Sequence, residues 1–428
     1  MFYKIYFKVK GNLTRISNMN IYFETYGCTS NKSDTRKMEA LAKNSDHKIV
    51  DDIEKSDLVV INTCVVIEKT ENRMLNRIKE LKNLKLVVAG CLSKVNQEGV
   101  KEIDSDIKLI SPQDLSEFAE VVGDKKKDLD KWEILNERDG VEGQIQISEG
   151  CKGNCSYCIT KFARGNLRKF PKNSIVNEVR NLVNEGVKEI QLTAQDTSTY
   201  GLDGKDDLYS LVEEINGIEG EFRIRIGMMN PNNVVDKKDR LIKVFELDKV
   251  YNFLHLPVQS GSNKVLRDMQ RGYSVRDFKE IVKVYREKNG GLLSTDVIAG
   301  FPSENENDFE KTVSLIQDIE PEILNITRYS PRPGTKAAES DEIISQEKKN
   351  RSKKLTKLKK KIGKKRRKRY LGKTREVLVL KEGKEDTMIG KDPDYNTVVI
   401  EDNVCIGDFV DVEISDFSFT YLVGKLEV

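Results

Sequence analysis

The run Cys151-Lys-Gly-Asn-Cys155-Ser-Tyr157-Cys158 sets three thiols in a C-x3-C-x2-C spacing on a Gly-containing loop, directly after the strand-like Gln144-Ile-Gln-Ile-Ser148. Three thiolates around one metal centre leave a four-coordinate site one ligand short. A structural zinc site closes with four ligands, and paired C-x2-C is its commoner spacing. An iron–sulfur cluster with one unligated iron can take a substrate or cosubstrate in the vacancy. The residues favour the cluster, with a zinc knuckle as the alternative.

From Gln144 the chain alternates strands and helices. The strands are expected at residues 144–148, 189–194, 222–227, 252–258, 292–300 and 323–329, with amphipathic helices between them such as residues 175–184 and 275–286. Repeated strand–helix units of this length build a parallel barrel whose chemistry lies at the C-terminal ends of the strands. Six units make it a partial (β/α)6 barrel. Polar groups gather where that picture needs them: Gln195 and Asp196, Asn230, Gln259 and Ser260, Gly300, and Arg328 and Arg332. Turn formation and helix capping are the alternative use of these residue types.

Upstream, one pattern occurs three times: a strand, a cysteine at its C-terminal end, then a helix. The strands lead into Cys28, Cys64 and Cys91. Continuous apolar strands such as Leu58-Val-Val-Ile and Leu86-Val-Val-Ala predict a doubly wound parallel sheet covered on both faces, in which ligands collect beyond the carboxyl ends. The three cysteines therefore share one structural address and form a candidate second three-thiolate site. Any one of them alone reads as a small buried hydrophobe, as Cys405 does. Residues 112–142 are charged and irregular and read as a linker. The first 18 residues have no interpretable pattern, and Met19 is a candidate start.

The net charge of +3 conceals an asymmetry. Residues 346–370 hold 15 Lys or Arg and one Glu, a local +14, which leaves −11 for the rest. A helix is expected at residues 345–370, and charge so concentrated calls for an anionic partner such as a nucleic acid. Behind it, alternating strands at residues 376–381, 396–400, 409–414 and 420–426 predict a small β barrel, a fold that commonly binds nucleic acid. No run of 18 apolar residues could span a membrane, and Lys4, Lys8, Lys10 and Arg15 break up any signal-peptide core. A cytoplasmic, reducing location is expected, since thiolate ligands need one.

The C-x3-C-x-aromatic-C run, with Tyr157 in the aromatic place, resembles the signature of the radical S-adenosylmethionine enzymes. From Asn20 onward the chain resembles their methylthiotransferase family, on Thr25-Tyr-Gly-Cys28, Asn62-Thr-Cys64, Ala89-Gly-Cys91, His255-Leu-Pro-Val-Gln-Ser-Gly-Ser262 and Tyr329-Ser-Pro-Arg-Pro-Gly334. The resemblance implies two [4Fe-4S] clusters, a radical-generating one on Cys151, Cys155 and Cys158 and an auxiliary one on Cys28, Cys64 and Cys91. It implies S-adenosylmethionine as cosubstrate, held by Tyr157, Gln195, Asp196, Asn230, Gln259, Ser260 and Gly300. The family's usual Gly-Gly-Glu after the second barrel strand is replaced here by Ala194-Gln195-Asp196.

The implied domains are a methylthiotransferase domain at residues 19–125, a radical-SAM core at 140–345, a basic helix at 346–370 and a TRAM-like RNA-binding barrel at 371–428. Thr25 to Asp34 and Arg225 to Pro231 are most similar to the branch that modifies C2 of N6-threonylcarbamoyladenosine beside the tRNA anticodon, at position 37. Arg328 or Arg332 would then receive the substrate carboxylate, with an ordinary surface or phosphate contact as the alternative for both. Another modified adenosine, a ribosomal-protein aspartate, or a non-catalytic RNA-binding metalloprotein are the alternatives. An electron donor such as flavodoxin or ferredoxin, and a sulfur source, complete the implied partners.

Overall fold

A computed structural model describes residues 6–9, 12–15, 18–124, 129–202 and 206–427. The chain divides into two compact units, residues 1–139, 144–152 and 158–178 in the first and 140–143, 153–157 and 179–428 in the second.

The first unit is built on a five-stranded sheet, in the order Lys48–Ile49, β1 (Asn20–Thr25), β2 (Leu58–Thr63), β3 (Leu86–Gly90) and Lys108–Ile110. Every pairing in it is parallel. Successive side chains of a strand point to opposite faces, and the two cores divide the strands accordingly. Ile21, Leu58, Val60 and Val87 meet Met38 and Leu41 of α1 (Thr29–Asn44) on one face. Val59, Ile61, Leu86 and Val88 meet Met74, Ile78 and Leu81 of α2 (Glu68–Leu81) on the other. All six residues of β2 are buried, which is why it reads as an unbroken apolar run. Residues 112–142 are only partly a connection: the helix Ser116–Val121 lies within them, and Phe118, Ala119 and Val122 complete the α1-side core. Tyr6–Val9 and Asn12–Arg15, where no pattern was legible, pair as an antiparallel hairpin.

In the second unit, β5 (Glu189–Thr193) pairs in parallel with β6 (Arg223–Ile226). Along its other edge lies β4 (Glu142–Gln146), which opens in this unit and runs on into the first. A second parallel sheet joins β7 (Phe253–His255), β8 (Leu292–Ala299) and β9 (Ile323–Arg328). The bridge Ile224–Val250 spans the seam between β6 and β7. These are the six expected strands of a partial barrel.

The C-terminal strands close into a barrel in the order β10 (Thr374–Glu382), β11 (Met388–Lys391), β12 (Thr397–Ile400), β14 (Tyr421–Leu426), β13 (Phe409–Phe417). Four of the five were expected. The one missed, β11, has only four residues and a glycine among them, a composition that weakens any strand reading.

This closed barrel is seated at the N-terminal ends of the partial-barrel strands. Tyr251, Phe253 and Leu292 share one core with Val377, Val379, Val398 and Leu422. Tyr395 packs its ring 4.8 Å from those of Tyr251 and Phe253, and Asn252 donates its backbone N–H to Pro393 O at 2.8 Å. The C-terminal strand ends are left for chemistry.

Candidate functional site

In the first unit, strand register brings Cys28, Cys64 and Cys91 to one edge. Thr25, Asn62 and Ala89 stand side by side on β1, β2 and β3, so the cysteines follow three, two and two residues beyond a common row. Cys28 is the N-cap of α1, and Cys91 opens the short helix α3 (Cys91–Val95). The approach is close. A Cβ on Gly27, at φ +114°, would lie 2.9 Å from Cys64 Cβ, and one on Gly90, at φ +87°, would lie 2.3 Å from Asn62 Oδ1. Only glycine permits both backbones.

Asn31 ties the edge together. Its amide donates to Thr63 O at 2.7 Å and Asn62 Oδ1 at 3.0 Å, and its Oδ1 is 3.4 Å from Cys28 Sγ. Asn62 answers by donating to Asn31 O at 2.8 Å and Thr35 Oγ1 at 3.0 Å.

Below this edge lies a fully buried ring of four charges. Arg164, on helix α4 (Thr160–Arg164), is 2.7 Å from both Asp34 and Glu149. Lys131 is 2.5 Å from Asp34 and 2.7 Å from Glu149. Arg164 also donates to Asn31 Oδ1 at 2.9 Å, which carries the ring to the residue holding Cys28. Burial pushes the Asp34 carboxyl up, but Arg164 and Lys131 outweigh it and hold it below the usual carboxylate range. Burial pushes the Cys91 thiol up to about 11, against the pull of Arg164, and raises Cys64 as well. Loading a metal there must expel those protons.

In the second unit, Cys155 Sγ accepts from Arg271 Nη1 at 3.3 Å. Ser156 anchors its loop by donating to Met269 O and Asp268 O. Tyr157 stands edge-on to Phe301, which stands edge-on to Tyr329, so the aromatic of the cysteine run meets the C-terminal ends of β8 and β9. Cys151 and Cys158 belong to the first unit, where Cys151 N–H donates to Gly165 O at 3.1 Å.

All six cysteines are free thiols. Among the described residues no group of three or more His, Cys, Asp or Glu closes on one point as a single ion demands. A cubane needs no such closure, because each thiolate takes a different iron. Three register-aligned thiols at one edge fit it.

The strand-end polar residues divide by use. The Asp196 carboxylate is fully buried and spent on Ser198, Asn230 N–H and Asn233 Nδ2. Burial raises it despite those donors. Its bonds tie the end of β5 to the Asn230–Asn233 segment that follows β6. Asn230 caps the short helix Pro231–Val234. Ser260 is buried against Thr312 Oγ1, on helix α5 (Glu306–Ile319), at 3.4 Å. Gly300 is filled on one side by Lys348, whose Cγ would be 2.4 Å from an added Cβ.

Gln259 differs: it holds φ +69°, a rarely populated backbone for a non-glycine residue, while bridging to β8 through Asp296 O and Ile298 N–H. Gln195 lies on the loop after β5. Arg328 ends β9 exposed, whereas Arg332 is buried.

Sequence reasoning passed over one constellation here. His255 Nε2 is 3.0 Å from Asp296 Oδ1, and Asn325 Nδ2 donates to the same oxygen at 2.8 Å. These contacts hold Asp296 below its ordinary range against its burial. His255 is one of only two histidines, and that scarcity was the available signal. Arg271 and Arg164 lie among many arginines and had none.

The basic helix, α6 (Ser345–Arg367), is less unpaired than its sequence suggests. Arg351 is buried on Glu304 at 2.7 Å, Arg366 reaches Glu322 at 2.6 Å, Lys365 reaches Glu320 at 2.5 Å, and Lys354 pairs with Glu310. The acids come from other segments, which is why a local count misses them. Lys349, Lys353, Lys357, Lys361, Lys364 and Lys368 are exposed with no ion-pair partner among the described residues. Among those residues no helix is long and apolar enough to cross a membrane.

Three family descriptions match along the chain: an uncharacterized protein family, UPF0004, at residues 20–111, the radical SAM superfamily at 145–316, and the TRAM domain at 368–426. Among solved structures, the radical S-adenosylmethionine methyltransferase TsrM from Kitasatospora setae, with tryptophan and a SAM analogue bound, is similar at TM-score 0.54 and 13% identity over 74% of each chain, a likeness of fold. Fold and cysteine loop thus define a radical S-adenosylmethionine protein, the class that carries an iron–sulfur cluster.

Curated relatives narrow this. A probable threonylcarbamoyladenosine tRNA methylthiotransferase of Archaeoglobus fulgidus is 43% identical over 95% of this chain and 99% of its own length. The mouse threonylcarbamoyladenosine tRNA methylthiotransferase is 32% identical over 95% and 74%. The chain belongs to the threonylcarbamoyladenosine tRNA methylthiotransferase family, and it is a radical SAM enzyme of the tRNA methylthiotransferase type.

Proposed function

We propose that the protein replaces the C2 hydrogen of N6-threonylcarbamoyladenosine, at tRNA position 37 beside the anticodon, with a methylthio group, using two [4Fe-4S] clusters. The observation that carries this is the common row Thr25–Asn62–Ala89, which delivers Cys28, Cys64 and Cys91 to one edge. An aromatic C–H has no useful acidity and no leaving group, so sulfur insertion calls for radical chemistry. When bound, the Cys151/Cys155/Cys158 cluster supplies the electron that cleaves S-adenosylmethionine and the Cys28/Cys64/Cys91 cluster supplies a station for sulfur.

The chain's own residues do the rest. Arg271 fixes the Cys155 sulfur, and Asn31 and Asn62 fix the strand-end edge. Arg328, exposed at the end of β9, or the buried Arg332 receives the threonylcarbamoyl carboxylate. The exposed lysines of α6 and the TRAM barrel offer contacts to the tRNA backbone. Tyr157, Gln195, Asp196, Asn230, Gln259, Ser260 and Gly300 are the candidates for holding the cosubstrate. A flavodoxin- or ferredoxin-like donor and a separate sulfur source complete the turnover, in a reducing cytoplasm.

The test is anaerobic reconstitution with iron and sulfide, then S-adenosylmethionine, a reductant and tRNA bearing threonylcarbamoyladenosine, read by nucleoside mass spectrometry. A product heavier by a methylthio group in place of hydrogen supports the reading. Formation of 5′-deoxyadenosine with the nucleoside unchanged would rule out this substrate.

A further inference from the structure

Beside the strand-end cysteines the first unit carries a polar hollow of about 600 Å³ that nothing above uses. Its wall is one face of α2, where Lys69, Asn72, Arg73 and Asn76 recur at helical spacing. Its floor includes Tyr26, two residues before Cys28. The acids at the site are already committed. Glu24 accepts from the Tyr26 hydroxyl and from Arg77 at 2.9 Å, and Arg77 also reaches Glu80 at 2.8 Å.

The other polar groups are not committed. Lys69, Asn72 and Asn76 are exposed and make no hydrogen bond or ion pair among the described residues. Arg73, also exposed, lies over the Tyr26 ring at 5.3 Å, and that ring is itself packed against the core around Val59, Ile61 and Met74. The guanidinium is therefore supported on the protein side and open to solvent. Leading out of Cys64, Val66 and Ile67 are exposed at 54% and 38%, two large apolar side chains on the same side of the sequence as α2.

A cation stacked on an aromatic, a free ammonium and two free carboxamides within one hollow form a set that suits a nucleotide. Unstacked bases stack on arginine planes as well as on aromatics, carboxamides supply both donors and acceptors to a base edge, and an ammonium takes a phosphate as a point charge. We propose that this hollow binds an unpaired nucleotide of the RNA substrate. The base lies on the Arg73–Tyr26 platform, Lys69 meets an adjacent phosphate, and Asn72 and Asn76 meet the base edge. This rests on the tRNA reading above. It places a recognition site two residues from Cys28, so that reading a neighbouring base and presenting the modified one become a single docking event.

The test uses the full chain and a fluorescein-labelled anticodon stem-loop RNA, with affinity measured by anisotropy across a salt series. Loop bases are removed one at a time as abasic sites. Arg73→Ala should weaken binding about tenfold. At one loop position the abasic RNA should cost the same in the unaltered protein and nothing further in Arg73→Ala. Lys69→Ala should lower the log–log salt slope by about 0.7. Arg73→Lys should keep the slope and lose the dependence on that base. All the side chains replaced are exposed, so a thermal melt should show the fold unchanged. If the unaltered protein binds no stem-loop, the tRNA reading itself fails. If it binds and neither variant differs, only the hollow is refuted. If Arg73→Ala weakens every abasic RNA equally, the base platform is refuted.

Discussion

Arg271 Nη1 donates to Cys155 Sγ across 3.3 Å while its Nη2 reaches Pro257 O at 3.4 Å and its guanidinium stacks over Tyr273 at 5.2 Å. With Cys155 as the cluster thiolate proposed above, a guanidinium held this firmly against it orients and tunes the ligand. Losing such partners costs about 10- to 100-fold in activity or metal affinity. Arg271→Met should therefore lower the rate of 5′-deoxyadenosine formation by about that factor and move the reduction potential of the radical-generating cluster to more negative values. An unchanged potential in a redox titration followed by electron paramagnetic resonance would reduce Arg271 to a packing role.

The ring of Asp34, Lys131, Glu149 and Arg164 carries two opposite pairs of charges with no access to water. Removing one partner of a buried pair strands the other, at roughly 3–5 kcal/mol. Arg164→Met should cost about that much in urea unfolding at neutral pH. The acid limb should change too. The folded pKa of Asp34 is depressed below its ordinary 3.8, so the unfolded chain binds the proton first. The stability this group adds is present above that value and lost as pH falls through the folded one. With Arg164 gone the depression shrinks, and stability should fall less steeply below about pH 4 in the variant than in the parent.

The exposed and the docked cations of α6 should separate in one experiment. Lys353, Lys357 and Lys361 are exposed without an ion-pair partner among the described residues, while Arg351 is buried on Glu304 and Glu304 caps the Gly300 N–H. Replacing the three lysines by alanine should lower the salt slope of tRNA binding by up to about 2 and leave the melting temperature nearly unmoved. Arg351→Ala should do the reverse, costing about 3–5 kcal/mol of stability because Glu304 is left buried and unpaired. Equal losses of affinity in both variants would mean that α6 acts on RNA only through its placement.

The sequence made the strands of this protein easier to read than their consequences. β2 opens on the apolar run Leu58–Ile61, and the three strand-end cysteines announced their edge because parallel strands present their C-terminal ends together. What escaped is non-local. The acids that neutralise Arg351, Lys354, Lys365 and Arg366 of α6 sit at Glu304, Glu310, Glu320 and Glu322, beyond any window that counts charge along the chain. The helix Ser116–Val121 hid inside a charged stretch because its six residues bury only Phe118 and Ala119. Asp196 stood out by its place at a strand end, but its burial under four donors from Ser198, Asn230 and Asn233 had no local sign. Two buried arginines aimed at the cysteine sites have no local signature at all.

Lys391 gives the second pH-dependent prediction. Its half-buried side chain lies where the closed barrel meets the partial barrel, with the ammonium 4.2 Å from the Tyr395 ring centre and donating to Thr397 Oγ1 at 2.9 Å. Burial lowers its pKa from 10.5 to about 8, against the pull of Glu189 and Asp392. The sign follows from which state holds the proton. Between about pH 8 and 10.5 the unfolded chain keeps it and the folded chain has released it, so stability rises with pH across that window. Below pH 8 both states are charged and the folded protein carries the whole cost of an ammonium it poorly solvates. Each pKa step is worth about 1.4 kcal/mol; with partial solvent access discounted, Lys391→Met should stabilise the fold by about 2 kcal/mol at pH 7. That gain should shrink steadily toward pH 10, because deprotonation of the lysine then achieves what the substitution did. Thermal melts of parent and variant, compared at each pH so that the neighbouring tyrosines cancel, decide it. A gain that does not vary with pH would trace the effect to packing rather than to charge.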